Sequence, residues 1–330
     1  MSIKIALAGN PNSGKTTMFN DLTGSQQYVG NWPGVTVAKK EGKLKGRPDV
    51  VIQDLPGIYS LSSYSPEEVI TRNYLVREKP DAVINIVDAT NIERNLYLTT
   101  QIIEIGVPVI IALNMIDIVR RNGDVINLKG LEDALGCRVM ETSALRGMGS
   151  QEAAAAASEL AGSGESVHIP PVFNGSVEHA IAHIEESIQD RVEERYLRWY
   201  AIKVFERDAV ILEELHLPKA LQEHLEEHIE ECEREMDDDS ESIIISQRYD
   251  YVGKLVAQCV IRNIKAGGTD SDKIDRILTN RVLALPLFAV IMFLVYYLSL
   301  STVGSLVTEF TNETLFGDWI YTPLSAWLAR

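Results

Sequence analysis

The chain contains 330 residues, which is enough for two compact domains, because single hydrophobic cores usually stop growing before that length. Its 47 acidic side chains outnumber 31 basic ones, and with a formal net charge of -16 and no basic patch the chain is not expected to bind nucleic acid. Cys137, Cys232 and Cys259 are widely spaced, which excludes a disulfide framework or zinc knuckle and favours a reducing compartment. The N-terminus lacks a signal-peptide cleavage site, so we expect the N-terminal part in the cytosol.

From residue 3 to about residue 162, short apolar, β-branched runs alternate with stretches of helical period. This alternation predicts an α/β fold, with a mostly parallel sheet and helices on both faces. A polar, alternating segment at 35–44 is typical of an exposed antiparallel edge strand. A linker rich in glycine and serine at 162–166 predicts a first domain of residues 1–164. The predicted parallel strands are residues 3–8, 50–54, 82–87, 107–113 and 138–142.

A small all-helical domain is predicted at residues 165–272, because charged side chains are dense there and apolar ones recur at helical spacing. The apolar positions are Ile181, Ile184, Ile188 and Val192, then Leu221, Leu225 and Ile229.

One transmembrane helix is predicted at about 282–308, within a membrane-proximal segment of residues 273–330. The 27 residues from 282 to 308 carry no charged side chain, and about 20 suffice to cross a bilayer. A buried core helix is the alternative, but globular helices of that length without a polar face are rare. The positive-inside rule places the N-terminal side in the cytoplasm, because Lys265, Lys273, Arg276 and Arg281 precede the segment and Glu309, Glu313 and Asp318 follow it.

Residues 9–16 read Gly-Asn-Pro-Asn-Ser-Gly-Lys-Thr and match the phosphate-loop pattern G-x-x-x-x-G-K-[ST] between a predicted strand and a predicted helix. Backbone amides of such a loop wrap the phosphates, while Lys15 reaches the β- and γ-phosphates and Thr16 ligates Mg²⁺. A chance match is the alternative, and three further motifs argue against it. The predicted nucleotide contacts here are Gly9, Asn10, Asn12, Ser13, Gly14, Lys15, Thr16 and Thr17.

Two motifs complete the predicted phosphate end of the site. Asp54, in the pattern D-x-x-G, ends a predicted strand and is expected to hold a magnesium-bound water, while Gly57 offers its backbone N–H to the γ-phosphate. Thr36 lies between the phosphate loop and Asp54, where a threonine that ligates magnesium only in the presence of γ-phosphate is expected. An ordinary strand-to-loop turn and an edge-strand threonine are the simpler interpretations of these two positions.

Base selection is predicted in two segments that follow strands, Asn114 to Asp117 and Ser143-Ala144. A carboxylate at Asp117 accepts hydrogen bonds from guanine N1–H and N2–H₂, which adenine cannot supply, so the predicted ligands are GTP and GDP. Met115 replaces the usual lysine of this motif and removes one contact to the nucleotide, which predicts looser binding.

With these motifs the chain resembles the ferrous iron transport protein B (FeoB) family, through residues 9–16, 29–36 and 54–61. The resemblance implies a cytoplasmic GTPase and helical domain followed by a first membrane helix, with Fe²⁺ as cargo and the cell membrane as location. Ile58 stands where Ras-like switches carry a catalytic glutamine, so hydrolysis is expected to be slow. The resemblance further implies a potassium ion near the β–γ bridge, held by Asn12 and by backbone carbonyls around Gly30 and Trp32, with Asn12, Lys15 and Thr36 as the catalytic residues.

Several alternatives stay open at this point. A membrane-anchored regulatory GTPase that conducts no ion is the second hypothesis, and a ribosome-associated GTPase is disfavoured by the acidic helical domain. A homo-oligomer formed through the membrane region is also open. The pairs His179/His183 and His224/His228 have the i, i+4 spacing of metal ligands, but surface histidines on charged helices are the commoner explanation.

Overall fold

The computed structural model describes residues 2–24, 27–33, 35–62, 64–163, 167–263 and 284–328. The chain divides into two compact units, Met1–Asn263 and Ile264–Arg330, and each is described by itself. Part of the predicted linker, residues 164–166, lies outside the described residues, and so do the predicted domain boundaries near 164 and 272.

A seven-stranded sheet in the order β2-β3-β4-β1-β5-β6-β8 forms the centre of the first unit. Strands β4, β1, β5, β6 and β8 run parallel, while β2, β3 and β4 are joined as antiparallel neighbours. The strands of this sheet are β1 (Ile3–Gly9), β2 (Gln27–Asn31), β3 (Ala38–Leu44), β4 (Arg47–Asp54), β5 (Ala82–Asp88), β6 (Val109–Asn114) and β8 (Arg138–Glu141). Another strand, β7 (Val125–Ile126), lies outside it.

The predicted parallel strands are confirmed, with the ends shifted by a few residues. The predicted edge strand is corrected, because β3 lies between β2 and β4 and the edge is β2. Sequence reasoning missed β2, since only Tyr28 and Val29 of its five residues favour strands and they are adjacent and followed by Gly30, so the segment has little of the alternation that marks a strand.

Helices cover both faces of the sheet. They are α1 (Lys15–Thr23), α2 (Pro66–Asn73), α3 (Ile92–Glu104), α4 (Ile116–Asn122), α5 (Leu128–Leu135) and α6 (Ser150–Ser163). Successive side chains of β1 point to opposite faces of the sheet. Ile5 and Leu7 pack in a core with Phe19 of α1 and Ala154 of α6. Ala6 and Ala8 point to the opposite face and join the core that contains α3.

A helical bundle follows the sheet, with α7 (Gly175–Ile188), α8 (Leu197–Phe205), α9 (Ala209–Leu215), α10 (Lys219–Met236) and α11 (Ser240–Cys259). In α7 the predicted apolar face is buried, since Ile181, Ile184 and Ile188 are inaccessible to solvent. The bundle shares one continuous hydrophobic core with the α3 face of the sheet. It is not entirely helical, because a short strand, β9 (Val260–Ile261), pairs antiparallel with β7.

In the second unit the described helices are α12 (Ala284–Tyr297), α13 (Val303–Glu309) and α14 (Thr322–Leu328). The structure does not describe the predicted transmembrane segment at about 282–308 as a single helix, and among the described residues no helix is long and apolar enough to cross a membrane. A π-helical segment, Leu298–Thr302, interrupts the apolar stretch and leaves α12 with 14 residues, a length of ~21 Å. Residues 282–283 lie outside the described part. The number of consecutive uncharged residues does not predict the switch from α-helical to π-helical hydrogen bonding at Leu298–Thr302.

Candidate functional site

The loop between β1 and α1 has a backbone shape that depends on its glycines. Gly14 has φ 92°, and a Cβ there would collide with the Asn114 side chain. A Cβ on Gly9 would lie 2.5 Å from the carbonyl oxygen of Ile86. Asn12 also adopts a positive φ of 66°, a conformation that asparagine tolerates better than most residues. The loop therefore presents its backbone at the N-terminus of α1, which suits an anionic ligand.

A buried ion pair joins this loop to the end of β4. Lys15 Nζ lies 2.7 Å from Asp54 Oδ1, and the two side chains are only 9% and 7% exposed. The segment after Asp54 is held to β1, because Leu55 N donates to the carbonyl of Leu7 and Ile58 N donates to that of Gly9. Strand β4 thus delivers a carboxylate directly to the lysine of the phosphate loop, as the sequence predicts.

Asn114 ties the phosphate loop to the predicted base-binding segments. Its Nδ2 donates to the carbonyl oxygen of Ser13 at 2.8 Å, and its Oδ1 accepts from Ala144 N at 2.9 Å. Ser143 Oγ donates to Asp117 Oδ1 at 2.9 Å. Because β6 and β8 are parallel neighbours, the residues that follow them meet at the same edge of the sheet.

These segments enclose one cavity of about 650 Å³, a size typical of small-molecule sites. Lys15 and Asp117 both line it, together with apolar side chains. Sequence reasoning missed Ile118, whereas Pro11 and Leu145 lie within the predicted phosphate-loop and base-selecting segments. The lining residues are Asn10, Pro11, Asn12, Gly14, Lys15, Thr16, Thr17, Gly57, Asn114, Met115, Asp117, Ile118, Ser143, Ala144 and Leu145.

Six predicted site residues are not among those that line the cavity: Gly9, Ser13, Gly30, Trp32, Thr36 and Asp54. Gly9, Ser13 and Asp54 nevertheless belong to the loop and ion pair just described. Thr36 is exposed beyond the end of β2, where Trp32 N donates to the carbonyl of Val37 at 2.9 Å. Trp32 is nearly buried and packs edge-on against Tyr74, with ring centroids 5.7 Å apart. Gly30 pairs with Lys39 inside the β2–β3 ladder.

The cavity fits a polar, anionic ligand. Ser13 Oγ and Asn10 Oδ1 are buried and have no hydrogen-bond partner among the described residues. A Cβ at Gly57 would lie 3.2 Å from Pro11 Cα, so this close approach of two backbone segments favours glycine. The exposed hydroxyl of Thr16 and the carboxylate of Asp54 are hard oxygen ligands of the kind Mg²⁺ prefers.

The four candidate histidines come together on α7 and α10. The rings of His183 and His228 stack with centroids 4.8 Å apart, and His179 and His224 contact them edge-on. Stacked parallel rings direct their nitrogen lone pairs along parallel lines, so they do not converge on one ion. Within the described residues, no group of three or more His, Cys, Asp or Glu side chains has an arrangement that holds a metal.

Comparison with known proteins identifies both parts of the first unit. The family model of ferrous iron transport protein B matches residues 3–157, and that of the FeoB cytosolic helical domain matches residues 173–261. The Fe(2+) transporter FeoB of Escherichia coli K12 is 37% identical over 314 residues, covering 92% of this chain and 39% of the relative. An Fe(2+) transport protein A/FeoB fusion protein of Porphyromonas gingivalis is 36% identical over 347 residues, covering 96% of this chain and 41% of the relative. The chain thus spans about two fifths of these relatives.

Solved structures of S. thermophilus NFeoB have the same fold. A GDP-bound mutant has a TM-score of 0.76 at 45% identity, covering 78% of this chain and 100% of that chain. The protein bound to GDP·AlF4⁻ and K⁺ has a TM-score of 0.71 at 46% identity, covering 77% of this chain and 98% of that chain.

A mostly parallel sheet that carries a phosphate loop, a buried lysine–aspartate pair and hydrogen-bonded polar side chains after β6 and β8 defines the P-loop GTPase fold, here followed by a helical domain. The family models match both the domain that contains the sheet and the helical bundle. The chain belongs to the ferrous iron transport protein B (FeoB) family.

Proposed function

We propose that this chain binds guanine nucleotides with Mg²⁺ and hydrolyses GTP slowly, as the cytoplasmic switch of a ferrous iron transporter. The observation that carries the proposal is the single cavity that joins a buried phosphate-loop lysine to a base-selecting carboxylate. Lys15 supplies a positive charge where phosphates bind, and Asp117 supplies an acceptor pair that matches guanine and not adenine.

The ion pair of Lys15 and Asp54 gives each residue a defined role. Phosphate oxygens replace Asp54 as the partner of Lys15, and the carboxylate of Asp54 is then available to the hydration shell of magnesium. Magnesium, when bound, neutralises charge on the β- and γ-phosphate oxygens. Thr16 lines the cavity, and its hydroxyl would ligate the ion from there. Thr36 joins this set only when the segment between β2 and β3 closes over the nucleotide, as a γ-phosphate sensor does.

Potassium is proposed as the charge that assists hydrolysis. Ile58 is buried and has no group that orients water, so no side chain at that position replaces a catalytic glutamine. Asn12 lines the cavity, and its amide oxygen together with carbonyl oxygens of the Gly30 and Trp32 region forms the proposed potassium site. The S. thermophilus structure with GDP·AlF4⁻ and K⁺ supports this assignment by family relationship.

Iron transport, as the activity of the whole protein, is proposed from the curated relatives, which are Fe(2+) transporters. A membrane location agrees with the exposure of large apolar side chains along α12, including Leu285, Phe288 and Phe293. A second buried ion pair connects the segment after Gly57 with the helical bundle: Arg72 Nη1 of α2 lies 3.0 Å from Asp208 Oδ2, next to α9. Such a contact would allow the bundle to respond to the nucleotide state.

Two measurements test the proposal in separate parts. Calorimetric titration of the chain with GTP, GDP, ATP and ADP in magnesium buffer should give binding of the guanine nucleotides only; binding of ATP with equal affinity would contradict it. Uptake of ferrous iron by cells that depend on the full-length protein should be lost with Lys15→Ala at matched expression. Uptake that persists in that variant would favour a regulatory GTPase that acts elsewhere.

A further inference from the structure

The carboxylate of Asp117 is held by two groups from the same neighbouring segment. Ser143 Oγ donates to Oδ1 at 2.9 Å, and Arg146 Nε lies 3.2 Å from Oδ2. Asp117 belongs to the first turn of α4, whereas both partners follow β8. From the 143–148 segment, Oδ1 therefore accepts a hydrogen bond and Oδ2 is paired with a guanidinium. An ionised carboxylate has about four acceptor positions, so two remain for a base.

The 143–148 segment is closed on itself, and few polar contacts join it to α4 and β6. Ser143 N donates to the carbonyl of Met148, and Met148 N and Arg146 N both donate to the carbonyl of Ser143. Two hydrogen bonds, from Ala144 N to the side chain of Asn114 and from Ser143 Oγ to Asp117, and the ion pair of Arg146 with Asp117 join the tip of this segment to α4 and β6. Removing one of them weakens the placement of the whole tip.

Arg146 itself does not line the cavity, although Asp117, Ser143 and Leu145 do. Its guanidinium lies on the outer side of the carboxylate and remains 66% exposed. Any effect of Arg146 on the nucleotide must therefore pass through Asp117. Met115, which stands where the motif usually has lysine, presents an apolar side chain to the cavity. The positive charge next to the Asp117 carboxylate is thus supplied by Arg146 of the 143–148 segment.

We propose that Arg146 is a positioning residue for guanine recognition, which fixes the orientation of Asp117 and fastens the 143–148 segment over the bound base. This inference rests on the proposed binding of guanine nucleotides. Nucleotide release then requires the contact between Arg146 and Asp117 to open. Because the arginine is mostly exposed, the contribution is modest, about two- to fivefold in affinity, and it is screened by salt.

The test compares dissociation of a fluorescent GDP analogue from the parent chain, Arg146→Ala, Arg146→Lys and Arg120→Ala. Arg120 is a matched control, because it also forms an exposed ion pair, with Glu141, and neither residue lines the cavity. The analogue should dissociate about two- to fivefold faster from Arg146→Ala, because the carboxylate that holds the base is less well oriented. Arg146→Lys should recover part of the loss, and Arg120→Ala should behave like the parent.

Salt provides a second readout that a merely structural role would not produce. Raising ionic strength should accelerate release from the parent towards the rate of Arg146→Ala, while the variant itself changes little. An Arg146→Ala variant that releases the analogue at the parental rate or more slowly, or an equal effect of Arg120→Ala, would overturn the inference. A parent chain that binds no guanine nucleotide would instead overturn the proposed function.

Discussion

Arg248 of α11 and Glu104 of α3 form an ion pair that is almost completely buried between the helical bundle and the nucleotide-binding sheet. Nη2 lies 2.7 Å from Oε2, and the side chains are 3% and 1% exposed. Arg248 Nη1 also bonds Glu206 at 3.2 Å, and Lys203 pairs with the same carboxylate. The buried charges therefore satisfy one another, and the bundle cannot leave the sheet without exposing them.

Arg248→Ala should destabilise the chain by about 3–5 kcal/mol, because it leaves Glu104 buried without its ion-pair partner and removes one of the two cations that pair with Glu206. Urea unfolding followed by the fluorescence of the buried Trp199 measures the change. Lys129→Ala is the control, since that lysine belongs to an exposed pair on α5 and should cost no more than about 0.5 kcal/mol. A loss below about 1 kcal/mol for Arg248→Ala would mean that the pair contributes little.

Glu206 predicts an acid-sensitive contribution to stability. Burial acts to raise its pKa, but the charges of Lys203 and Arg248 outweigh burial and hold the pKa below the ordinary 4.5. A depressed folded-state pKa stabilises the fold above 4.5, and this stabilisation is lost as the pH falls through the folded value. Urea titrations at decreasing pH should show that Glu206→Gln loses less stability than the parent below 4.5. Identical pH profiles would rule out this role.

The sequence predicted the parallel strands well, because their apolar runs are continuous and buried on both faces, as in β5. It also placed Lys15, Asp54 and Asp117, since each motif follows a strand whose end lies at one edge of the sheet. It could not predict the Arg248–Glu104 pair, whose members are 144 positions apart, or the contact of Arg146 with Asp117. Such contacts depend on the packing of whole elements and leave no local pattern.

Asp117→Asn should weaken GTP binding by about a hundredfold and shift preference towards xanthosine nucleotides, because one acceptor of the carboxylate becomes a donor. The affinities for GTP, XTP and ATP, measured side by side, give the result. Asp117→Asn also removes the ion pair with Arg146. The GTP affinity of Arg146→Ala therefore measures how much of the loss comes from that ion pair alone. Unaltered GTP affinity and selectivity would remove Asp117 from base recognition.

Lys15 and Thr16 should respond differently to alanine substitution. Thr16 is exposed in the cavity, so Thr16→Ala should weaken magnesium-dependent GTP binding at least about tenfold while stability stays within about 0.5 kcal/mol. Lys15→Ala should also abolish tight binding, but it leaves Asp54 buried without its partner and so should lower the melting temperature as well. Normal GTP affinity in either variant, by calorimetry, would contradict the assigned phosphate site.

Hydrolysis of GTP in potassium and sodium buffers tests the central claim most directly, namely that this cavity hydrolyses GTP with the help of a monovalent cation. A cation near the β–γ bridging oxygen offsets charge that develops in the transition state, and Ile58 supplies no alternative. The initial rate of the parent should be at least about tenfold higher in potassium than in sodium. Asn12→Ala should lose this difference while its GTP affinity stays within about twofold, because Lys15 and the loop amides still hold the phosphates. Equal parental rates in the two salts, or potassium stimulation that survives in Asn12→Ala, would contradict the account.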